Sequence, residues 1–146
     1  MNSNTLQFSE KEVIIDFSKK EVHESILSMF KHFPNKYILR ENDINDVFYT
    51  YHFPISNNIN PSIADISLEE ISENKTKIKI KVSNAYGSQS SISILEGVAH
   101  DYLNVLSKML KKEDIEIIKQ TTNAGTGCMV VALIFIISSI SIVFFI

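Results

Sequence analysis

Four histidines, one cysteine and a row of alternating lysines are the residues of this chain best equipped for chemistry. His23, His32, His52 and His100 share no metal-ligand spacing with one another or with Cys128, so the zinc patterns, which need ligands at fixed short separations, are not met. Glu96 and His100 stand one helical turn apart and could co-ligate a cation from one helix face. A polar pair beside a core is the plainer reading, so no metal or cofactor is assigned. With only four glycines in the chain there is no phosphate-cradling loop and no nucleophile elbow. The carboxylates are scattered, and neighbours such as Glu69 and Glu70 point to opposite faces of a strand. No catalytic residue is nominated, and the chain is expected not to be an enzyme.

The lysines Lys75, Lys77, Lys79 and Lys81 suggest a membrane surface or a nucleic acid. Against that, 14 basic and 17 acidic residues give a net charge of −3, too near neutrality to imply a nucleic-acid partner. Their spacing is more informative than their charge. Ile78, Ile80 and Val82 alternate with Lys77, Lys79 and Lys81, which is the period of a strand with one buried face. A three-residue loop Ser72-Glu73-Asn74, with Asn74 in the left-handed conformation, sets Leu68 against Ile78, Ile66 against Ile80 and Ala64 against Val82. The same register sets Glu69 against Lys77 and Asp65 against Lys81, and a one-residue slip would ruin both faces. The lysines then form a solvated face that blunts edge pairing.

The elements around this hairpin follow from similar signals. Residues 1–10 lack apolar periodicity and are expected to be a flexible arm. "EVIIDF" reads as a strand with Val13, Ile15 and Phe17 on one face. "SKKE" is a capping box, with Phe17 and Val22 at the positions of a hydrophobic staple, so a helix should begin at Lys19. Its stripe is Val22, Ile26, Met29, Phe30 and Phe33, and Pro34 helps end it. "KYILRE" and "NDVFYTYHF" should form a hairpin, with Asn42 and Asp43 as turn residues and Tyr37, Leu39, Val47, Tyr49, Tyr51 and Phe53 inward. A long helix is expected from Ile94 to Lys112 or on to Lys119, capped by Ser93 with Glu96. It should bury Leu95, Val98, Ala99, Tyr102, Leu106, Met109 and Leu110. Gly97 within it either permits close approach to the sheet or is simply tolerated.

The expected fold is therefore α+β, in the order β-α-β-β-β-β-α, with the long C-terminal helix packed on an antiparallel sheet over residues 11–119. This order and patterning resembles the helix-grip architecture of the START and Bet v1-like superfamily, over about residues 10–115. Members commonly have six strands after the first helix, where this chain has four, and a second short helix that it lacks. The resemblance implies a lipid or other apolar small molecule held between the long helix and the sheet. Tyr49, Tyr51, Ile80, Tyr102 and Leu106 are the residues expected to line such a pocket.

One segment lies apart. The last charged residue is Lys119, and residues 128–146 carry no charge, proline or side-chain amide. At ~1.5 Å per residue, a helix of that length spans about 29 Å, the thickness of a bilayer's hydrocarbon core. Cys128, Leu133, Phe135, Ile140, Phe144 and Ile146 mark the expected membrane anchor, with 120–127 as a hinge. A buried core helix all round apolar needs more surrounding protein than this, and a glycolipid-anchor signal needs a polar spacer and a leader. Lys108, Lys111, Lys112 and Lys119 all lie on the N-terminal side of the run. A single-pass, tail-anchored arrangement with the domain in the cytoplasm is thus expected. Three functions fit: an adaptor domain binding a protein partner at the bilayer, a carrier or sensor of an apolar ligand, and an immunity-type protein. Deleting residues 126–146 should move the protein from the membrane to the soluble fraction of lysed cells. A reporter fused after Ile146 should be inaccessible from the cytoplasm.

Overall fold

Alternation of isoleucine and lysine leaves one strand of this protein a single way to lie, and the sheet is assembled around it. The computed structural model describes residues 7–42, 47–53, 61–85 and 90–123. The elements are β1 (Phe8–Ile15), α1 (Lys19–His32), β2 (Tyr37–Asn42), β3 (Val47–His52), β4 (Ser62–Ser72), β5 (Lys75–Asn84), α2 (Ile92–Leu110) and α3 (Ile115–Asn123). The strands form one antiparallel sheet in the order β1-β5-β4-β3-β2, and the helices cover one face.

β4 and β5 pair in the register expected from the sequence: Leu68 opposite Ile78, Ile66 opposite Ile80 and Ala64 opposite Val82, all six side chains buried. On the other face Lys77 forms an ion pair with Glu69, and Asp65 stands opposite Lys81. Lys79 reaches Glu10 and Glu12 at 2.9 and 3.6 Å, and Lys75 reaches Asp16 at 3.4 Å. The connection differs from expectation. Only Glu73 and Asn74 lie between the strands, and the register shifts between Glu70 and Ser72. Among the described residues the one non-glycine with positive φ is Lys112, so Asn74 is not left-handed. The extra residue is absorbed as a bulge at Ile71, which supplies the twist that the turn itself does not.

The capping box at the start of α1 is complete. Ser18 Oγ accepts from the Glu21 amide at 3.3 Å, and Glu21 accepts from the Ser18 amide at 2.9 Å. These bonds hold the Glu21 carboxyl below its usual range. Val22, Ile26, Met29, Phe30 and Phe33 are all buried, and Phe17 packs against the same core.

Several expectations are corrected. The N-terminal arm ends earlier than residue 10, because Phe8 to Glu10 pair with Ser83 to Lys81 at the sheet edge. Asn42 belongs to β2, paired with Phe48, rather than to a turn. β3 lies with its other face inward: Phe48, Thr50 and His52 are buried, and Val47, Tyr49, Tyr51 and Phe53 are only partly so. The reason is pairing. Phe48 and Thr50 stand opposite Ile66 and Ala64, whose inward direction the β4–β5 hairpin has already fixed.

Around α2 the correction concerns its ends. It begins at Ile92 after Ser91, with no side-chain cap bond, so Ser93 and Glu96 form no capping box. It ends at Leu110. The Glu113 amide bonds back to the Lys108 carbonyl at 3.1 Å and the Lys112 amide to Met109 at 3.0 Å, while Lys112 takes φ 56. That is a Schellman stop, with a lysine in the left-handed place where glycine is usual. Asp114 then caps α3, its Oδ1 accepting from the Glu116 amide at 2.8 Å. Ile118 of α3 is fully buried, and the helix continues to Asn123, through the first residues of the expected hinge. Val105 joins the buried stripe of α2, and Met109 is only partly buried. Among the described residues no helix is long and apolar enough to cross a membrane, and the run 128–146 lies outside them.

Gly97 faces open space: a Cβ placed there meets nothing within 4 Å. It is therefore tolerated, not required. Gly97→Ala should stabilise the protein by about 0.5–1 kcal/mol by lowering the entropy lost on folding, seen as a higher midpoint in thermal unfolding followed by circular dichroism.

Candidate functional site

The residues brought together with chemical potential are not those expected from the sequence. Of the anticipated pocket lining, Ile80, Tyr102 and Leu106 lie packed in the core. Tyr49 and Tyr51 lie on the opposite face of the sheet, Tyr51 beneath the Arg40 guanidinium at 4.7 Å. The five side chains therefore do not line one space. Of the Glu96–His100 pair, His100 Nε2 sits 2.7 Å from the Lys11 ammonium of β1. The Lys11 contact requires the imidazole to accept, so the ring is neutral there. Burial first, and the Lys11 charge second, lower its pKa against the opposing pull of Glu96.

A different cluster forms where side chains from α2 meet the start of β2 and the end of β3, and Asp101 is its centre. Lys36 Nζ donates to Asp101 Oδ1 at 2.8 Å, and Tyr37 Oη donates to Oδ2 at 2.5 Å. His52 Nε2 lies 3.0 Å from the same Oδ2. The chain places these groups by simple means. α1 stops at Phe33, whose carbonyl accepts both the Lys36 and Tyr37 amides at 3.0 Å, and this tight turn delivers the two side chains to the start of β2. Tyr37 pairs with His52 across the β2–β3 ladder, so their rings share a face, with centroids 5.5 Å apart. Tyr102, next to Asp101 on α2, stacks on Tyr37 at 4.7 Å. Its hydroxyl lies 2.6 Å from Thr50 Oγ1, which in turn donates to the Ala64 carbonyl. The Thr50 proton is thus committed, so Tyr102 donates to Thr50.

The electrostatics follow from this wiring. Burial alone would raise the Asp101 pKa. The hydrogen bond from His52, the nearby Lys36 charge with its hydrogen bond, and the bond from Tyr37 outweigh it and bring the group down to about 2. Tyr37 is pushed well above its normal range by burial and by the Asp101 charge, and Tyr102 is raised chiefly by burial. Asp101 is therefore a carboxylate at neutral pH and can only accept. His52 must then donate through Nε2, and in the neutral ring the lone pair falls on Nδ1. The His52 side chain is only 6% exposed, and its Nδ1 is a buried atom without a hydrogen-bond partner among the described residues.

His52 and Tyr37 were visible in the sequence singly, but nothing there joined them. Asp101 carried a readable signal. It lies three residues after Val98 and four before Val105, at core spacing on an amphipathic helix, where a carboxylate has to find a partner.

The outer face of the sheet carries a second pattern. Ile38, Tyr51, Ile63, Ser83 and Phe8 stand in one row across all five strands, beside the ion-paired lysines. The Lys81 ammonium lies 4.7 Å from the Phe8 ring centroid.

No protein-family model matches the sequence, and no curated protein matches it. Solved structures do match the fold. An uncharacterised protein from Bacillus thuringiensis superposes with a TM-score of 0.51 at 13% identity, over 68% of this chain and 96% of that one. The di-domain aromatase/cyclase BexL of the BE-7585A biosynthetic pathway gives 0.51 at 13% identity, over 78% of this chain and 48% of its own. A conserved protein of unknown function from Enterococcus faecalis gives 0.50 at 13%, over 82% and 84%. The chain thus spans about half of the two-domain enzyme. The likeness is one of fold alone, an antiparallel sheet with helices packed on it.

The pH dependence of stability has a fixed sign. Asp101 has a folded pKa near 2 against about 3.9 unfolded, so its contribution is present above about pH 4 and is lost as pH falls towards 2. The lowered pKa of His100 adds a shallower loss as pH falls below about 6.5. Asp101→Asn, which removes the carboxylate beside the partly buried Lys36 ammonium, should cost about 2–3 kcal/mol at pH 7 and flatten the limb below pH 4. Denaturant unfolding across pH 2–8 measures both.

Proposed function

We propose that this chain is a non-enzymatic helix-grip binding domain, held at the cytoplasmic face of a membrane by residues 128–146. Its ligand is a small, largely apolar molecule that carries a hydroxyl or N–H group. The observation that supports this reading is His52 Nδ1, an acceptor buried among Tyr37 and Tyr102 with no partner among the described residues. Leaving such an atom unsatisfied costs about 1–3 kcal/mol, and a donor on a ligand seated between α2 and the β2–β3 end of the sheet would recover it. The aromatic rings around it suit an apolar body, while the Lys36–Asp101 pair holds the imidazole in the tautomer that accepts.

Tethering adds to this function by keeping the site beside the bilayer, where apolar molecules partition and their effective concentration is raised. The uncharged length of residues 128–146 and the lysines that precede them support that placement.

A second reading, an adaptor that docks a protein partner at the membrane, is favoured by the outer row of Ile38, Tyr51, Ile63 and Phe8. Ile38 and Phe8 are exposed there, and a partner segment with aliphatic side chains would cover them. In that case Tyr51→Glu would abolish partner capture, whereas any His52 substitution that preserves the fold would not.

The discriminating experiment is native mass spectrometry of the full chain in detergent micelles. The wild type should release a bound small molecule bearing a donor group. His52→Gln keeps an amide N–H to donate to Asp101 but removes the Nδ1 acceptor, and should hold that molecule about 3–10-fold more weakly with little change in melting temperature. Equal retention by the variant would overturn the assignment of His52, and an empty wild type exposed to extracted lipids would overturn ligand binding.

A further inference from the structure

We infer that α3 is a membrane-docking element: its outer side, with Ile117 at the centre, rests in the headgroup layer of the bilayer and fixes the domain against it. This rests on the reading that residues 128–146 enter the membrane, and goes beyond it by replacing a swinging domain with a seated one.

The first observation is that α3 is built into the domain. Ile118 is fully buried, Ile115 packs on the same core, and Lys108 Nζ reaches Thr121 Oγ1 at 2.9 Å, tying the last turn of α3 to α2. The Schellman stop at Lys112 and the Asp114 cap fix the angle between the two helices. The second is length. The helix runs to Asn123, and only residues 124–127 separate it from the uncharged run. Whatever path they take, the chain from 123 to 128 covers at most about 17 Å, at ~3.5 Å per residue. The headgroup layer is itself about 5–8 Å deep on each side of the hydrocarbon. The end of α3 therefore lies within about one helix diameter of the headgroups, and since α3 cannot detach from the core, the domain comes with it.

The surface so presented suits a bilayer. Ile117 is 56% exposed, a large aliphatic side chain next in sequence to one that is fully buried. Lys111 and Lys112 are exposed at the turn above it, and Lys119 pairs with Glu116 at 2.8 Å. Asp114 is engaged in capping. From 108 to 121 four lysines stand against three carboxylates, so charge adds little, and apolar insertion with neutral headgroups is sufficient.

The test uses the full chain with Cys128→Ser in phosphatidylcholine vesicles, carrying one environment-sensitive fluorophore on a new cysteine at Ile117→Cys, Leu133→Cys or, on the outer sheet face, Ser67→Cys. Lipid-borne quenchers should act on the probes at 117 and 133, and aqueous iodide on the probe at 67 alone. Lipid quenching at 133 with iodide quenching at 117 equal to that at 67 would overturn docking while leaving the anchor in place. Iodide access at all three positions would overturn the anchor and the docking together. A probe at 117 shielded from both quenchers would mean that protein covers Ile117, and would also overturn the proposal.

Discussion

The register of the β4–β5 hairpin is the constraint on which the rest of this structure depends. A strand has a side-chain period of two, so its apolar set can face only one way once the pairing is chosen. Here apolar pairing on one face and charge pairing on the other favour the same choice. The two central strands then dictate their neighbours. β1 joins β5 with Val13 and Ile15 inward and its glutamates beside Lys79, and β3 joins β4 with Phe48 over Ile66. The helices have one apolar surface on which to lie, and α1 and α2 fill it.

Besides the bond from Tyr102 to Thr50, two polar contacts of opposite character pin α2 to that surface. Near the β1 edge, His100 accepts from Lys11 and remains uncharged. Near the β2–β3 side, Asp101 remains charged because three donors converge on it. These neighbours on one helix thus meet different strands and adopt different protonation habits. A partly buried carboxylate stays charged here because its donors are held by a turn and a strand pairing. The same arrangement leaves one imidazole nitrogen of His52 without a partner among the described residues.

The features legible in the sequence were those settled by nearest neighbours along the chain or across one short turn. The Ser18 capping box, the stripe of α1 and the β4–β5 register depend on residues two to eighteen apart, and all three are present. The face of β3 was not legible, because "VFYTYHF" is apolar or aromatic on both parities. Only its alignment with Ala64 and Ile66, reached across residues 54–60, separates them. The break between α2 and α3 has no glycine or proline to announce it. Its one local signal is Asp114, an N-cap residue ahead of an apolar group. The expected pocket failed for the same reason as β3, since two of its five members were assigned to the wrong face.

By itself the sequence determined the fold class, the order of the elements, the central register and the presence of an uncharged stretch long enough to span a bilayer. Each of these is a matter of period, length or local capping, which short-range sterics and burial enforce without regard to the rest of the chain. Tertiary structure alone decided that Lys36, Tyr37, His52 and Asp101 form one cluster, that Tyr49 and Tyr51 lie outside it, and that α3 is part of the domain. The cluster depends on contacts across 49 to 65 residues, the face of β3 on its pairing with β4, and the place of α3 on the burial of Ile118. Such contacts are chosen by which packing buries the most surface with every charge paired, and no local pattern records that choice.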